Sequence, residues 1–327
     1  MNAAVDLSPD SIQAARDSAR YSRCISESRR VRWDIDADVL RGRHLDFRRT
    51  FLPASMSRAE QLEFLGADEH RTLSHVQGRT YAGFLGLTGR FIAAKAQEIS
   101  REHWLGDQLA LESIVRFCDE ELKHQELFRQ LERMIDDGMP SGYRRVADPN
   151  EFARRVLSRS TWAVLALSCL LELLPQAHYT QSIAVDADVS GLLRDAFRFH
   201  WLEECQHAIV DEIEWQRADR RLTQRERDHA VADLIELISA MDGLVQQQAA
   251  ADTAYFHAIS GRAFSHQQSR AIHAVFLRAY RWQHISAGVR HPHFVRLLSS
   301  MTTMQQQQRI RSALASILWD RAEATAV

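Results

Sequence analysis

Two short patterns in this chain have the residue types and spacing to hold a metal ion: Glu121-Leu122-Lys123-His124 and Glu204-Cys205-Gln206-His207. On an α-helix, residues three apart point the same way. In each pattern a carboxylate and an imidazole therefore face one point. The carboxylate can bridge two ions while the imidazole one turn on binds one of them, as in helical bundles that hold carboxylate-bridged metals. A single copy carries little weight, because a chain with 15 histidines and 43 acidic residues produces such matches by composition. A third copy, Glu226-Arg227-Asp228-His229, reads as a decoy: Thr223, three residues before Glu226, makes a capping box that opens a helix.

What distinguishes the first two copies is where their elements place them. Prolines stand at positions 9, 53, 140, 149, 175 and 292, leaving long stretches free for helix. Apolar residues recur at three- and four-residue spacing, and no alternating strand run is present, so the class is all-α. The pattern predicts helix A over about 67–103, B over 108–137, C over 150–182 and D over 190–219, forming two helical hairpins. Each motif then lies about 16 residues from the turn of its own hairpin, at the same depth.

Depth points to further residues. Glu172 lies 32 residues before Glu204, inside the apolar run Leu165 to Leu174, where a carboxylate is costly unless paired or metal-bound. The same offset on helix A reaches Gly89, flanked by Leu87, Thr88 and Arg90. The nearest downstream carboxylate, Glu98, is about 13 Å farther along the axis. A symmetric site would therefore lack its fourth carboxylate at Gly89.

These residues resemble the ferritin-like di-iron carboxylate superfamily, and within it the p-aminobenzoate N-oxygenase type. His200, one turn before Glu204, carries the closer likeness, in His200-x-x-x-Glu204-x-x-His207. The resemblance covers about residues 67–219 and implies a ferritin-like four-helix bundle with extra N- and C-terminal helices. It also implies that His200 is a third metal-binding imidazole. Glu121 and Glu204 would bridge, His124 would bind one metal, and His207 and His200 the other, with Glu172 terminal on that second side. Two iron ions are expected, one being the alternative count and manganese the alternative metal. Gly89 departs from the family, which carries a terminal carboxylate at that place.

The remaining residues fill in the setting. Phe117, Cys118, Ser168 and Cys169 lie within a turn of the ligands and are candidates to line a pocket. Asp211 and Glu212 are placed to hold a ligand imidazole from outside. Pro175 is expected to kink helix C. Tyr81 and Tyr179 have no spacing that gives them a redox role. Residues 1–30 are polar and weakly patterned, which suggests a frayed or loosely docked helix. Residues 31–66, with Trp33, Leu40, Phe47, Phe51 and Leu52, suit a wrap over the bundle. Three helices to about 257, over 265–287 and over 292–322 would brace it. Segments 1–66, 67–219 and 220–327 are joined by no Pro-, Gly- or Ser-rich linker and form one domain.

Composition excludes several classes. A net charge of -2 with interspersed signs argues against a nucleic-acid surface. The four cysteines form no C-x-x-C pair and suit buried thiols in a reducing cytosol. No signal-peptide pattern opens the chain, and the run Thr161 to Leu174 is too short to span a bilayer. A cytoplasmic location, with neither membrane nor nucleic acid as partner, is expected.

The functional expectation is a non-haem di-metal oxygenase or oxidase that activates O2 for hydroxylation, N-oxygenation or dehydrogenation of a small organic substrate. The electron donor is unspecified and a homodimer is left open. The alternative is a degenerate mono-metal or metal-free scaffold, motivated by Gly89. Iron storage fits poorly with about 100 residues of extra helix, and no repeat supports a solenoid.

Overall fold

The structure is a computed structural model that describes residues 9–318, with side chains from residue 11 onward. Among them helices form nearly everything. In chain order they are α1 Pro9–Arg30, α2 Ala54–Ser57, α3 Ala67–Ser100, α4 Gln108–Gly138, α5 Pro149–Leu157, α6 Thr161–His178, α7 Gly191–Arg220, α8 Gln224–Ile259, α9 His266–Arg281, α10 Ala287–Val289, α11 Pro292–Met301 and α12 Met304–Leu318. The sole β-type pairing among the described residues is an isolated bridge between Thr50 and Val189.

The starts of these helices follow from capping chemistry. Asp107 accepts from the amides of Leu109 and Ala110 to open α4, and Asp148 accepts from Glu151 ahead of Pro149 to open α5. Thr223 and Glu226 form the reciprocal box that opens α8, and the His229 side chain beside it is 78% exposed. Glu226 is thus spent on a cap, as its spacing suggested.

α3 packs antiparallel on α4, and α6 on α7, while α4 meets α7 and α3 meets α6. α6 is buried along almost its whole length, from Trp162 to Pro175, because α3, α7, α8 and α11 surround it. That explains an apolar run with no polar face. One hydrophobic core extends from Cys24 to Ile317, so the C-terminal helices share it with α3, α4, α6 and α7. No helix among the described residues is long and apolar enough to cross a membrane.

Three expectations need correction. Residues 9–30 are a docked helix: α1 packs on α4 and α7 and buries Tyr21, Cys24, Ile25 and Ser28. Its mean polarity hid a narrow apolar stripe. Helix C is broken, because the Ser160 amide donates to Asp233 and Arg159 pairs with Glu236, drawing the chain toward α8 between α5 and α6. The last helix is also two, since Thr303 and Gln306 cap α12 reciprocally. Its expected end near 322 lies outside the described residues.

Candidate metal centre

The fold brings the two motifs together. Glu121 and His124 from α4 and Glu204 and His207 from α7 each offer a donor atom, and these four atoms lie within 4.8 Å of one another. With Glu172 from α6 and His200 from α7, all six ligand candidates are buried, none more than 5% exposed. Nδ1 of His124 is 3.3 Å from Glu121 Oε1 and 3.1 Å from Glu204 Oε1. Nδ1 of His207 is 3.2 Å from Glu121 Oε1 and 3.7 Å from both Glu204 Oε1 and Glu172 Oε2. His200 Nε2 stands 2.8 Å from Glu204 Oε1 but off hydrogen-bond geometry.

Each imidazole is pinned from behind. His124 Nε2 shares a hydrogen bond of 2.8 Å with Glu203, whose other oxygen accepts from Lys123 Nζ at 2.6 Å. His207 Nε2 shares one of 2.8 Å with Glu120, which also accepts from Gln206 and, at 2.6 Å, from Ser28 of α1. The arrangement is crossed: the acid preceding the ligand glutamate of one helix holds the histidine of the other. Fixing Nε2 in this way directs Nδ1 inward. Trp33 stacks on His124 with ring centroids 6.1 Å apart, and Phe117 lies on His207 at 4.2 Å.

Sequence reasoning missed these holders, having chosen Asp211 and Glu212. Glu212 instead accepts from Arg20 and meets His293, and burial pushes the Asp211 carboxyl well above its usual range. A signal was present. Both working motifs read Glu-Glu-x-x-His, as Glu120-Glu121 and Glu203-Glu204, whereas Glu226 of the decoy follows Arg225.

Charge within the cluster is mutual. Burial opposes ionisation of Glu120, yet the His207 hydrogen bond and charge, with Ser28 and Gln206, hold its carboxyl down at about 2. Burial likewise opposes the cations of His124 and His207, but the surrounding carboxylates raise both well above the usual histidine range. His200 is driven the other way, well below the usual histidine range, by burial and by the neighbouring His124. A cation binding among these donors would compete with protons on His124 and His207.

The donor set fits a metal by a further test. His207 Nδ1, Glu204 Oε1 and Glu172 Oε2 are buried and make no hydrogen bond, although buried polar atoms normally have a partner. All three belong to this cluster, and oxygen and imidazole donors suit divalent transition metals.

Gly89 faces the cluster as its offset predicted. A Cβ built on it would lie 2.5 Å from Glu121 Oε2, so that carboxylate oxygen already fills the space of a side chain there. Of the pocket candidates, Phe117, Cys118, Ser168 and Cys169 are all buried, and the Cys118 thiol donates to the Ala93 carbonyl. Cys205 departs from the expected buried thiols by being exposed, and all four cysteines are unpaired. Pro175 lies inside α6, and Gln176 beside it donates to the carbonyls of Glu172 and Glu204, tying α6 to α7 at the ligands. Surface cavities of about 600 and 840 Å³ are lined by other residues. A scan of protein-family models gives no match to this chain, and a search of curated proteins gives none.

Proposed function

We propose that the protein is a ferritin-like non-haem metal oxidoreductase that uses O2 to oxidise a small organic substrate. The observation that carries this reading is the pairing of pinned outer nitrogens with orphaned inner donors. Protein groups satisfy Nε2 of both ligand histidines, while His207 Nδ1 and Glu204 Oε1, facing the centre, have no partner in good hydrogen-bond geometry. Iron or manganese suits such oxygen and imidazole donors and, when bound, supplies redox chemistry with O2.

The residues divide the work. Glu121, His124, Glu204 and His207 hold the ion, and Glu120 and Glu203 fix the imidazole orientation. Phe117, Trp33 and the apolar face of α6 exclude water, which protects a reactive centre. Glu172 keeps a buried carboxylate oxygen without a hydrogen bond, available to exchange a proton with a bound molecule. Hydroxylation, N-oxygenation and dehydrogenation are the reaction classes this set serves.

Gly89 favours a second reading, a ferritin-like scaffold that has lost its catalytic metal. Elemental analysis of protein expressed with iron and manganese supplied separates them. Retained metal, with an absorbance change when O2 meets the reduced protein, is expected. Protein that keeps neither metal sinks the oxidoreductase reading.

A further inference from the structure

In a carboxylate-bridged pair, a bridging carboxylate gives one oxygen to each metal, so imidazoles on different metals sit beside different oxygens. Here one oxygen serves both imidazoles. Glu121 Oε1 is 3.3 Å from His124 Nδ1 and 3.2 Å from His207 Nδ1. Glu204 Oε1 is 3.1 Å and 3.7 Å from the same two atoms. The other oxygen of Glu121 turns aside into the niche at Gly89.

We propose that Glu121, His124, Glu204 and His207 converge on one divalent cation and do not bridge two, an inference that rests on the metal centre proposed above. An ion at zinc-like bond lengths of about 2.0–2.1 Å from four tetrahedral donors sets those donors about 3.3–3.5 Å apart. The four nitrogen to oxygen separations, 3.1 to 3.7 Å, bracket that value, and all four donor atoms lie within 4.8 Å of one another. A pair of ions stands about 3.5–4 Å apart, and each needs donors of its own. The half-site toward α3 has none to add, because Gly89 is flanked there by Leu87, Thr88 and Arg90. Glu172 and His200 lie outside the four-donor group. Glu172 approaches it at His207, and His200 at Glu204 and His124.

Metal-free full-length protein, dialysed against Co(II) alone and analysed for cobalt, is expected to retain one ion per chain. Its visible absorption should have the strength of a four-coordinate site. Two ions per chain overturn the single-ion inference while leaving the metal reading standing, and no retained cobalt overturns both. Glu172→Gln adds a check on the donor set. It is expected to keep one ion, with affinity lowered by no more than the about 10- to 100-fold typical of a residue that supports the ligands. Loss of the ion in that variant would make Glu172 a ligand and overturn the four-donor set.

Discussion

Asp252 in α8 and Glu204 in α7 are both carboxylates buried in one core, and their surroundings answer that burial differently. Thr80 and Tyr280 donate to one oxygen of Asp252, and Gln248 donates to the other at 2.8 Å. This knot joins α3, α8 and α9 entirely through protein groups. At the candidate metal centre, Glu204 Oε1, Glu172 Oε2 and His207 Nδ1 have charged neighbours at 3.1 to 3.7 Å but no partner in good hydrogen-bond geometry. An unsatisfied buried polar group costs about 1–3 kcal/mol, and three such atoms gathered around one point leave room for a cation to offset that cost. The comparison separates a cluster satisfied within the fold from one that could hold a metal ion.

The contrast breaks most sharply at His207. His207→Ala should lower metal affinity by more than about 100-fold, beyond the 10- to 100-fold typical of groups that only support a ligand. The melting difference between metal-loaded and metal-free protein should then close. Thermal unfolding with and without metal measures it, and a variant that keeps the full difference would remove His207 from the site.

Asp252→Ala should act in the opposite manner. It strands three buried donors and is expected to destabilise both forms by about 3 kcal/mol, leaving the metal-dependent difference intact. Burial pushes the Asp252 carboxyl up to about 6, against the hydrogen bonds from Thr80, Tyr280 and Gln248. The folded chain therefore holds this proton more tightly than the unfolded chain. Its contribution is full below about pH 4 and is lost as the pH rises through about 6, a change on the order of 3 kcal/mol. Denaturant unfolding of metal-free Asp252→Asn across that window should lack this part of the slope. A slope equal to the native one would assign it to other groups.

How far the sequence reveals this difference depends on whether the cause is local. That Glu121, His124, Glu204 and His207 would meet was legible because three-residue spacing on a helix is local geometry, and the burial of Glu172 because it sits in an apolar run. The docking of α1 was not, since it depends on grooves between α4 and α7 that exist only after packing. The Asp252 knot was invisible for the same reason: beyond the local Gln248, its donors come from positions 80 and 280 on other helices. The crossed holders fell between these cases. Glu120 and Glu203 are adjacent to ligands, but their partners are on the other helix.

Those holders give a smaller, graded test. Glu203→Gln keeps the shape but removes the charge facing His124 and Lys123, and metal affinity should fall about 10- to 100-fold at unchanged stoichiometry. Competition against a chelator of known affinity reads the shift. A loss equal to that of His207→Ala would make Glu203 a ligand and not a holder.

Ser28 offers the finest distinction, because its side chain ties the docked N-terminal helix to the carboxylate that holds His207. Its hydroxyl donates to Glu120 at 2.6 Å, and Glu120 in turn holds His207. Ser28→Ala removes one hydrogen bond to a charged acceptor while Gln206 still donates to Glu120. A bond of this kind contributes about 1.5–3 kcal/mol when its acceptor is left alone. With Gln206 still in place the loss reaching the metal should be smaller, about 3- to 10-fold in affinity. Thermal stability should change little, since Ser28 is small and α1 keeps its apolar contacts through Tyr21, Cys24 and Ile25. A shift in melting with no shift in metal affinity would return Ser28, and with it α1, to the part of the molecule that only completes the fold.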